Sequence, residues 1–258
     1  MKIVCVESLG IGNERFEALR AHYAAMGHDF TYYMDRREDE ATLAGRMREA
    51  DVAVISNIKL MSAVLAQCPR LRYLSVAFTG LDHIDLAYCQ EHGIAVQNAA
   101  GYSTTAVSEL AVGLMIDMLR DTTRLDGTIR HGAGRGTFLG RELRGKTVGI
   151  VGTGAIGTAT ARLLTAFGAT VIAWSRTVRD EVKALGVQYV EFDELLRRSD
   201  IVSLHVPLND ATRGLVGERE LRLMKPTALL VNTARGPVCD IRAVAEALKA
   251  GIIAGAAF

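Results

Sequence analysis

The sequence has few of the features that mark several classes of protein. Its cysteines are Cys5, Cys68, Cys89 and Cys239. They lie far apart with no CxxC spacing, which disfavours a disulfide framework or a zinc site and predicts free thiols and no bound metal. With 30 basic against 29 acidic residues, no basic face or tail indicates nucleic acid or a membrane surface as a partner.

Long apolar segments are also missing. No run approaches the roughly 18 apolar residues that indicate a membrane helix. The opening MKIVCVESLG lacks the length and cleavage pattern of a signal peptide. These absences predict a soluble, cytoplasmic protein.

What is present is a regular alternation of short apolar runs and helical patterns. Hydrophobic residues make up 49% of the 258, enough to bury a sizeable core. The predicted strands are 3–6, 52–56, 72–76, 94–97, 148–151, 170–174, 201–205, 228–232 and 252–256. Several are apolar on both faces, which is typical of parallel strands covered by helices. The pattern predicts an α/β fold with parallel sheets.

The alternation breaks once, after residue 98. A long helical pattern runs from 104 to about 120, and the polar, glycine-rich stretch RHGAGRGTFLGREL follows before the alternation resumes at Thr147. We therefore predict two domains, 1–100 and 101–258, with the long helix as the connection into the second.

Two glycine-containing motifs compete for a phosphate-binding role. Residues 140–147, GRELRGKT, match the P-loop pattern GxxxxGK[ST], and residues 152–157, GTGAIG, match GxGxxG. A P-loop follows a strand and opens a helix, whereas GRELRGKT leads into the strand TVGIV. An exposed turn before that strand is the better interpretation, which disfavours a P-loop NTPase.

GTGAIG has the context that a dinucleotide site needs, because the strand TVGIV precedes it and a helical pattern follows. Gly152 permits a tight turn, Gly154 lets the backbone approach a pyrophosphate, and Gly157 allows close packing of helix on strand. The amides at the helix N-terminus, at Ala155 and Ile156, then favour phosphate. A βα turn without a ligand is the alternative.

The next predicted strand ends at Ser175, Arg176 and Thr177. An NAD site usually has an acidic residue here to bind the ribose hydroxyls, and its charge would repel a 2′-phosphate. Ser, Arg and Thr offer hydrogen bonds and a cation instead, which favours NADP over NAD. The alternative is that Arg176 is an ordinary solvated residue.

Taken together, the motifs resemble those of the D-isomer-specific 2-hydroxyacid dehydrogenase family. The matching segments are 79–98 (TGLDHIDLAYCQEHGIAVQN), 103–115 (STTAVSELAVGLM), 143–157, 203–216 (SLHVPLNDATRGLV) and 223–240 (LMKPTALLVNTARGPVCD). The resemblance implies a flavodoxin-like substrate domain, a Rossmann cofactor domain, an active site in the cleft between them, and a homodimer formed partly through the long helix.

The resemblance also implies roles for individual residues. Arg235, in NTARG, corresponds to the arginine that binds the substrate carboxylate and polarises the keto group, a task suited to its planar, permanently charged fork; a surface arginine is the alternative. The substrate loop is Phe78, Thr79 and Gly80. Asn57 lies near it by analogy, and is equally well interpreted as a turn residue. The further cofactor contacts are His205, Val206, Pro207, Thr212, Thr233 and Ala234.

The reaction also needs a general acid, and none of these residues is a candidate for that role. The family's general acid is a histidine paired with a glutamate, and the resemblance places both beyond Phe258, which leaves the Rossmann domain incomplete. We expect a piece of a longer chain, with a naturally short protein as the alternative. Two functions therefore stay open: an NAD(P)-dependent oxidoreductase that interconverts a 2-keto acid and a D-2-hydroxy acid, or a non-catalytic nucleotide-binding protein acting through dimerisation or redox sensing.

Overall fold

A computed structural model describes residues 1–258. The chain divides into two compact units, Met1–Tyr102 and Ser103–Phe258. Both units are parallel α/β sheets, as the alternation of strands and helices predicts. None of the helices is long and apolar enough to cross a membrane.

The first unit has a five-stranded, all-parallel sheet in the order β2-β1-β3-β4-β5, the flavodoxin-like order. Its strands are β1 (Lys2–Cys5), β2 (Asp29–Tyr32), β3 (Val52–Ile55), β4 (Tyr73–Val76) and β5 (Ala95–Asn98). Its helices are α1 (Asn13–Ala25), α2 (Glu40–Met47), α3 (Ser62–Leu65) and α4 (Leu86–Glu91).

The second unit has a six-stranded parallel sheet in the order β11-β10-β9-β6-β7-β8. Its strands are β6 (Thr147–Val151), β7 (Thr170–Trp174), β8 (Gln188–Tyr189), β9 (Ile201–Leu204), β10 (Leu229–Asn232) and β11 (Gly255–Ala257). Its helices are α5 (Thr104–Arg120), α6 (Thr122–Arg130), α7 (Ala155–Ala166), α8 (Asp180–Lys183), α9 (Phe192–Arg198), α10 (Glu218–Leu223) and α11 (Ile241–Lys249), with a 3₁₀ helix at Gly236–Val238. The order reverses between β6 and β9, which is the Rossmann arrangement with its ligand-binding switch point.

The central strands of the second sheet are buried on both faces, as their apolar sequences predict. In the second unit Val148 and Ile150 of β6 are fully buried, together with Met115 of α5 and Leu164 of α7. Fully burying one such side chain contributes about 1.5–3 kcal/mol. On the opposite face of the sheet, Gly149 lets Ser199 pack closely against β6, because a Cβ at position 149 would lie 2.3 Å from Ser199 Oγ.

The structure differs from the sequence prediction in the last strand. We predicted 252–256, but β11 begins only at Gly255. Residues 251–254 instead form the turn that ends α11, with Gly251 at a φ of 66° and the Ile252 amide bonded to the Ala247 carbonyl. Apolar residues continue through this turn because Ile253 is buried against the core.

Candidate active site

The glycine motif forms the turn between β6 and α7. Gly152 has a φ of 94°, and a Cβ there would lie 2.9 Å from the carbonyl oxygen of His205. At Gly157 a Cβ would lie 2.0 Å from the carbonyl oxygen of Gly152. Both glycines are therefore required by the packing of the turn itself.

Gly154 is different, since no protein atom requires it to be glycine. Its φ is −68°, and a Cβ would meet nothing within 4 Å. The first helical hydrogen bond runs from the Thr158 amide to the Gly154 carbonyl, so the amides of Ala155, Ile156 and Gly157 have no partner within the helix. Open space in front of unpaired helix amides fits the pyrophosphate of a dinucleotide.

The segment that follows β7 is tied to the glycine turn through Thr153, a buried residue. The Thr153 amide donates to Ser175 Oγ over 3.3 Å, and Thr153 Oγ1 donates to the Thr177 carbonyl over 3.4 Å. Tyr189 in β8 donates from its hydroxyl to Thr153 Oγ1 over 2.9 Å and accepts from the Arg179 amide. Sequence reasoning missed Thr153 and Tyr189, because neither matches a motif position with a known side-chain role.

Arg176 is exposed and pairs with no carboxylate. The residues at the carboxyl end of β7, Trp174 to Val178, include no acidic side chain. The positive charge beside the glycine turn is thus uncompensated by a neighbouring carboxylate in this segment.

The loop after β9 approaches the glycine turn from the other side. His205 donates its amide to the Val151 carbonyl, and its Nε2 lies 2.9 Å from Ser203 Oγ. Burial of the imidazole lowers the pKa of His205 to about 4, because the charged form would lose its hydration. Thr212 donates from Oγ1 to the Pro207 carbonyl over 2.5 Å, which closes this loop on itself.

The segment after β10 carries the arginine of the NTARG motif. Asn232 is buried; its Nδ2 donates to the Arg235 carbonyl over 2.8 Å, and its Oδ1 accepts from the Ala234 amide over 3.0 Å. This clamp, which we did not predict, fixes the backbone that presents Arg235. Thr233 Oγ1 is buried with no hydrogen-bond partner in the protein, so a polar group of a ligand would satisfy it.

In the first unit the predicted substrate loop follows β4. The Thr79 carbonyl accepts from Asn98 Nδ2 over 2.5 Å, and the Phe78 carbonyl accepts from the Ala99 amide over 3.1 Å. Asn98 was not predicted as a site residue; its side chain fixes the loop from the end of β5. Asn57 follows the neighbouring strand β3.

The P-loop match does not have a P-loop structure. Residues 140–146 form an irregular approach and a turn at Gly145, and Thr147 begins β6. No helix follows the lysine of this motif, so it has no helix N-terminus with which to bind phosphate.

Comparison with known proteins agrees with this geometry. Residues 112–258 match the model of the D-isomer specific 2-hydroxyacid dehydrogenase, NAD binding domain. A glyoxylate reductase of Thermococcus litoralis is 40% identical over 224 residues, covering 83% of this chain and 68% of that protein. The chain belongs to the D-isomer-specific 2-hydroxyacid dehydrogenase family. A glyoxylate reductase of Aeropyrum pernix is 41% identical, with 84% and 68% covered.

Two solved structures are similar to this chain over almost its whole length. An acyclic imino acid reductase in complex with NADPH and D-Arg gives a TM-score of 0.88 at 32% identity, covering 99% of this chain and 81% of that one. A D-lactate dehydrogenase from Aquifex aeolicus, complexed with NAD and lactic acid, gives 0.87 at 30% identity, with 98% and 75% covered. The family assignment therefore includes the first unit, which the NAD-binding model does not reach.

Proposed function

We propose that this member of the D-isomer-specific 2-hydroxyacid dehydrogenase family is an oxidoreductase that transfers a hydride between NAD(P)H and a small 2-keto acid, giving the D-2-hydroxy acid. One observation carries the proposal: the carboxyl ends of β6, β9 and β10 bring the glycine turn, His205 and the Arg235 segment to one edge of the sheet. Ligands of such sheets bind at this edge. The glyoxylate reductase and D-lactate dehydrogenase relatives support it.

The nicotinamide cofactor would be held by residues that already fit it. The amides of Ala155 and Ile156 would bind the pyrophosphate, with Gly154 leaving the space. The rest of the cofactor site would be lined by the segment 205–207 and by Thr233, whose buried hydroxyl has no hydrogen-bond partner in the protein. When bound, the nicotinamide supplies or accepts the hydride.

Arg235 would hold the substrate carboxylate and polarise the keto group. Its guanidinium offers several donors in one plane and stays charged, so it stabilises negative charge that develops on the keto oxygen. The Asn232 clamp fixes its backbone, which limits the reorganisation needed on binding. The loop Phe78–Gly80 and Asn57 are proposed as further contacts to the same substrate.

The protein's own histidines include no proton donor that we can assign. His205 is the one histidine in the cofactor unit's predicted site, and its lowered pKa leaves it neutral at neutral pH. We assign it to the cofactor side, where Ser203 orients its ring.

For the cofactor we propose NADP over NAD, on the basis of Arg176 and the absence of an acidic residue at the end of β7.

We further propose a homodimer in which α5 contributes to the interface. Leu110 lies on the outer face of this helix with 55% of its surface exposed. Leu110→Lys should therefore shift the protein from dimer to monomer in light scattering.

A redox-sensing role gains no support. All four cysteines are buried free thiols. Burial raises the pKa of Cys5 and of Cys239 to about 11, because the thiolate would lose its hydration. The thiolate is the reactive form, so these cysteines are poor sensors.

The deciding experiment measures two bindings on the same protein. NADPH is titrated first, and oxamate, a mimic of a 2-keto acid, is titrated into the NADPH complex by calorimetry. We expect Arg235→Lys to leave NADPH binding within about twofold and to weaken oxamate by about tenfold or more, since the planar fork is lost. Failure to bind NADPH, or equal oxamate affinity in the variant, would contradict the proposal.

A further inference from the structure

A carboxylate is buried at the carboxyl edge of the first sheet. Glu7, two residues beyond β1, has only 1% of its surface exposed. Burying a charged group is costly unless it is paired and hydrogen-bonded, and apolar side chains of similar volume would often be as stable. The contacts of Glu7 therefore indicate what it is retained for.

One oxygen of Glu7 holds the backbone on both sides of Asn57. Oε1 accepts from the Ser56 amide over 2.7 Å and lies 3.4 Å from the Ile58 amide. These two amides flank Asn57 in the turn after β3. The carboxylate thus fixes the backbone position of Asn57.

The other oxygen fixes the side chain itself, through Arg36. Glu7 Oε2 pairs with Arg36 Nη1 at 2.8 Å, and the same Nη1 donates to Asn57 Oδ1 over 2.6 Å. A guanidinium can only donate, so the atom of Asn57 that faces it is the oxygen. Asn57 is exposed, and the hydrogen bond of its side chain to the protein is the one that Oδ1 accepts from Arg36, so the amide nitrogen Nδ2 faces away from Arg36 and stays available as a donor.

The sheet places this free donor beside the proposed substrate loop. Strands β3 and β4 are neighbours with Ile55 opposite Val76, and the Ala77 amide bonds to the Ile55 carbonyl over 2.7 Å. Asn57 and Phe78 each lie two residues beyond that pair, at the same edge of the sheet. The substrate loop therefore begins next to Asn57.

We infer that Glu7 and Arg36 are positioning residues that hold Asn57 with its Nδ2 presented to an oxygen of the 2-keto acid. This inference rests on the proposed function. Arg36 is not itself a second anion site, because Glu7 and Glu38 both pair with it and offset its charge. The first unit accordingly recognises an acceptor oxygen and does not favour a second carboxylate on the substrate.

A double-mutant cycle tests the inference. Oxamate is titrated into the NADPH complexes of the wild type, Arg36→Ala, Asn57→Ala and the double variant. We expect each single change to weaken oxamate by about tenfold, the scale of losing one hydrogen bond to a charged group. Because Arg36 acts through Asn57, the double variant should be no weaker than Asn57→Ala alone. NADPH affinity should not change.

Arg37→Ala is the matched control. It removes the same charge from the next residue, whose partner is Asp35, and should leave oxamate affinity unchanged. Both Arg36 and Asn57 are exposed enough for their variants to fold, which thermal unfolding checks. Glu7→Gln, if it folds, should resemble Arg36→Ala.

Three results would overturn the inference. Multiplicative losses in the double variant would mean that Arg36 acts independently of Asn57. Unchanged affinity in Asn57→Ala would mean that its amide touches no substrate; in both cases Arg235→Lys would still weaken oxamate and the proposed function would stand. A wild type that binds NADPH but no oxamate would overturn the inference and the proposed substrate together.

Discussion

The hydroxyl of Tyr189 donates a hydrogen bond to Thr153 Oγ1 over 2.9 Å and accepts another from the Arg179 amide over 3.2 Å. A side chain in the edge strand β8 thus joins the glycine turn to the segment proposed to bind the 2′-phosphate. No sequence motif requires a tyrosine there. The contact gives the cofactor segment a fixed position before any ligand binds.

Tyr189→Phe should weaken NADPH by about fivefold, because one hydrogen bond is worth about 1 kcal/mol and its loss frees the segment 175–179. NADH, which lacks the 2′-phosphate, should be affected less. Fluorescence titration with both cofactors measures the ratio. Tyr73→Phe, which removes a tyrosine hydroxyl bonded to Gln97 in the first unit, is the matched control. Equal losses for the two cofactors would argue against this role.

The glycine turn offers a pair of alanine substitutions with opposite consequences. Gly154→Ala meets open space at an ordinary φ, so folding should be unaffected while NADPH binding falls by at least about tenfold, since the methyl group occupies the proposed pyrophosphate space. Gly157→Ala places its methyl group against the Gly152 carbonyl and should destabilise the fold by about 1–3 kcal/mol or more. Urea unfolding and NADPH titration on both variants separate the effects. Unimpaired NADPH binding by Gly154→Ala would place the cofactor elsewhere.

The cofactor preference should be reversible at the end of β7. Ser175→Asp combined with Arg176→Ala removes the cation and adds a carboxylate that can bind the ribose hydroxyls. We expect NADPH to bind about ten- to a hundredfold more weakly, because its 2′-phosphate loses charge-assisted hydrogen bonds. NADH should bind more tightly, because the new carboxylate can accept hydrogen bonds from its ribose hydroxyls. Arg222→Ala, which removes an arginine paired with Glu218 on α10, is the control for the loss of a cation away from the proposed site. A double variant that keeps the original order of affinities would contradict the NADP proposal.

Much of the fold could be predicted from the sequence because its central strands are buried on both faces. Strands such as β9 and β10 are continuous apolar runs, and their pattern identifies them without any tertiary information. The strands that escaped prediction are β2, with the polar sequence DFTY, and β8, only two residues long. Both lie at sheet edges, where one side is open and the apolar signal is weak.

The residues of the candidate site also fall into two groups, those that the sequence alone can indicate and those that it cannot. Gly152, Gly157 and the proposed substrate arginine Arg235 stand in local motifs, so their order along the chain is sufficient to single them out as candidates. Glu7 and Arg36 could not be found from a local motif, because 29 residues separate them from each other and 51 separate Glu7 from Ile58. The order of strands in the sheet brings them together, and that order is not visible in a single sequence.

The pKa of His205 makes stability depend on pH in a defined direction. An unfolded histidine binds a proton near pH 6.5, whereas burial lowers the native pKa of His205 to about 4. Between these values the unfolded state holds more protons, so the free energy of unfolding decreases as the pH falls. The contribution is present above about pH 6.5 and falls by up to about 1.4 kcal/mol per pH unit below it.

His205→Gln removes this contribution, so the wild type should lose stability relative to the variant on going from about pH 7 to about pH 5. Urea unfolding of both proteins at the two pH values measures the change. Ser203→Ala removes the hydroxyl partner of the imidazole but keeps the histidine, and should therefore retain the wild-type pH dependence. If the stability gap between wild type and His205→Gln is the same at both pH values, the imidazole is not held neutral by burial, and a proton-donating role for His205 would have to be considered again.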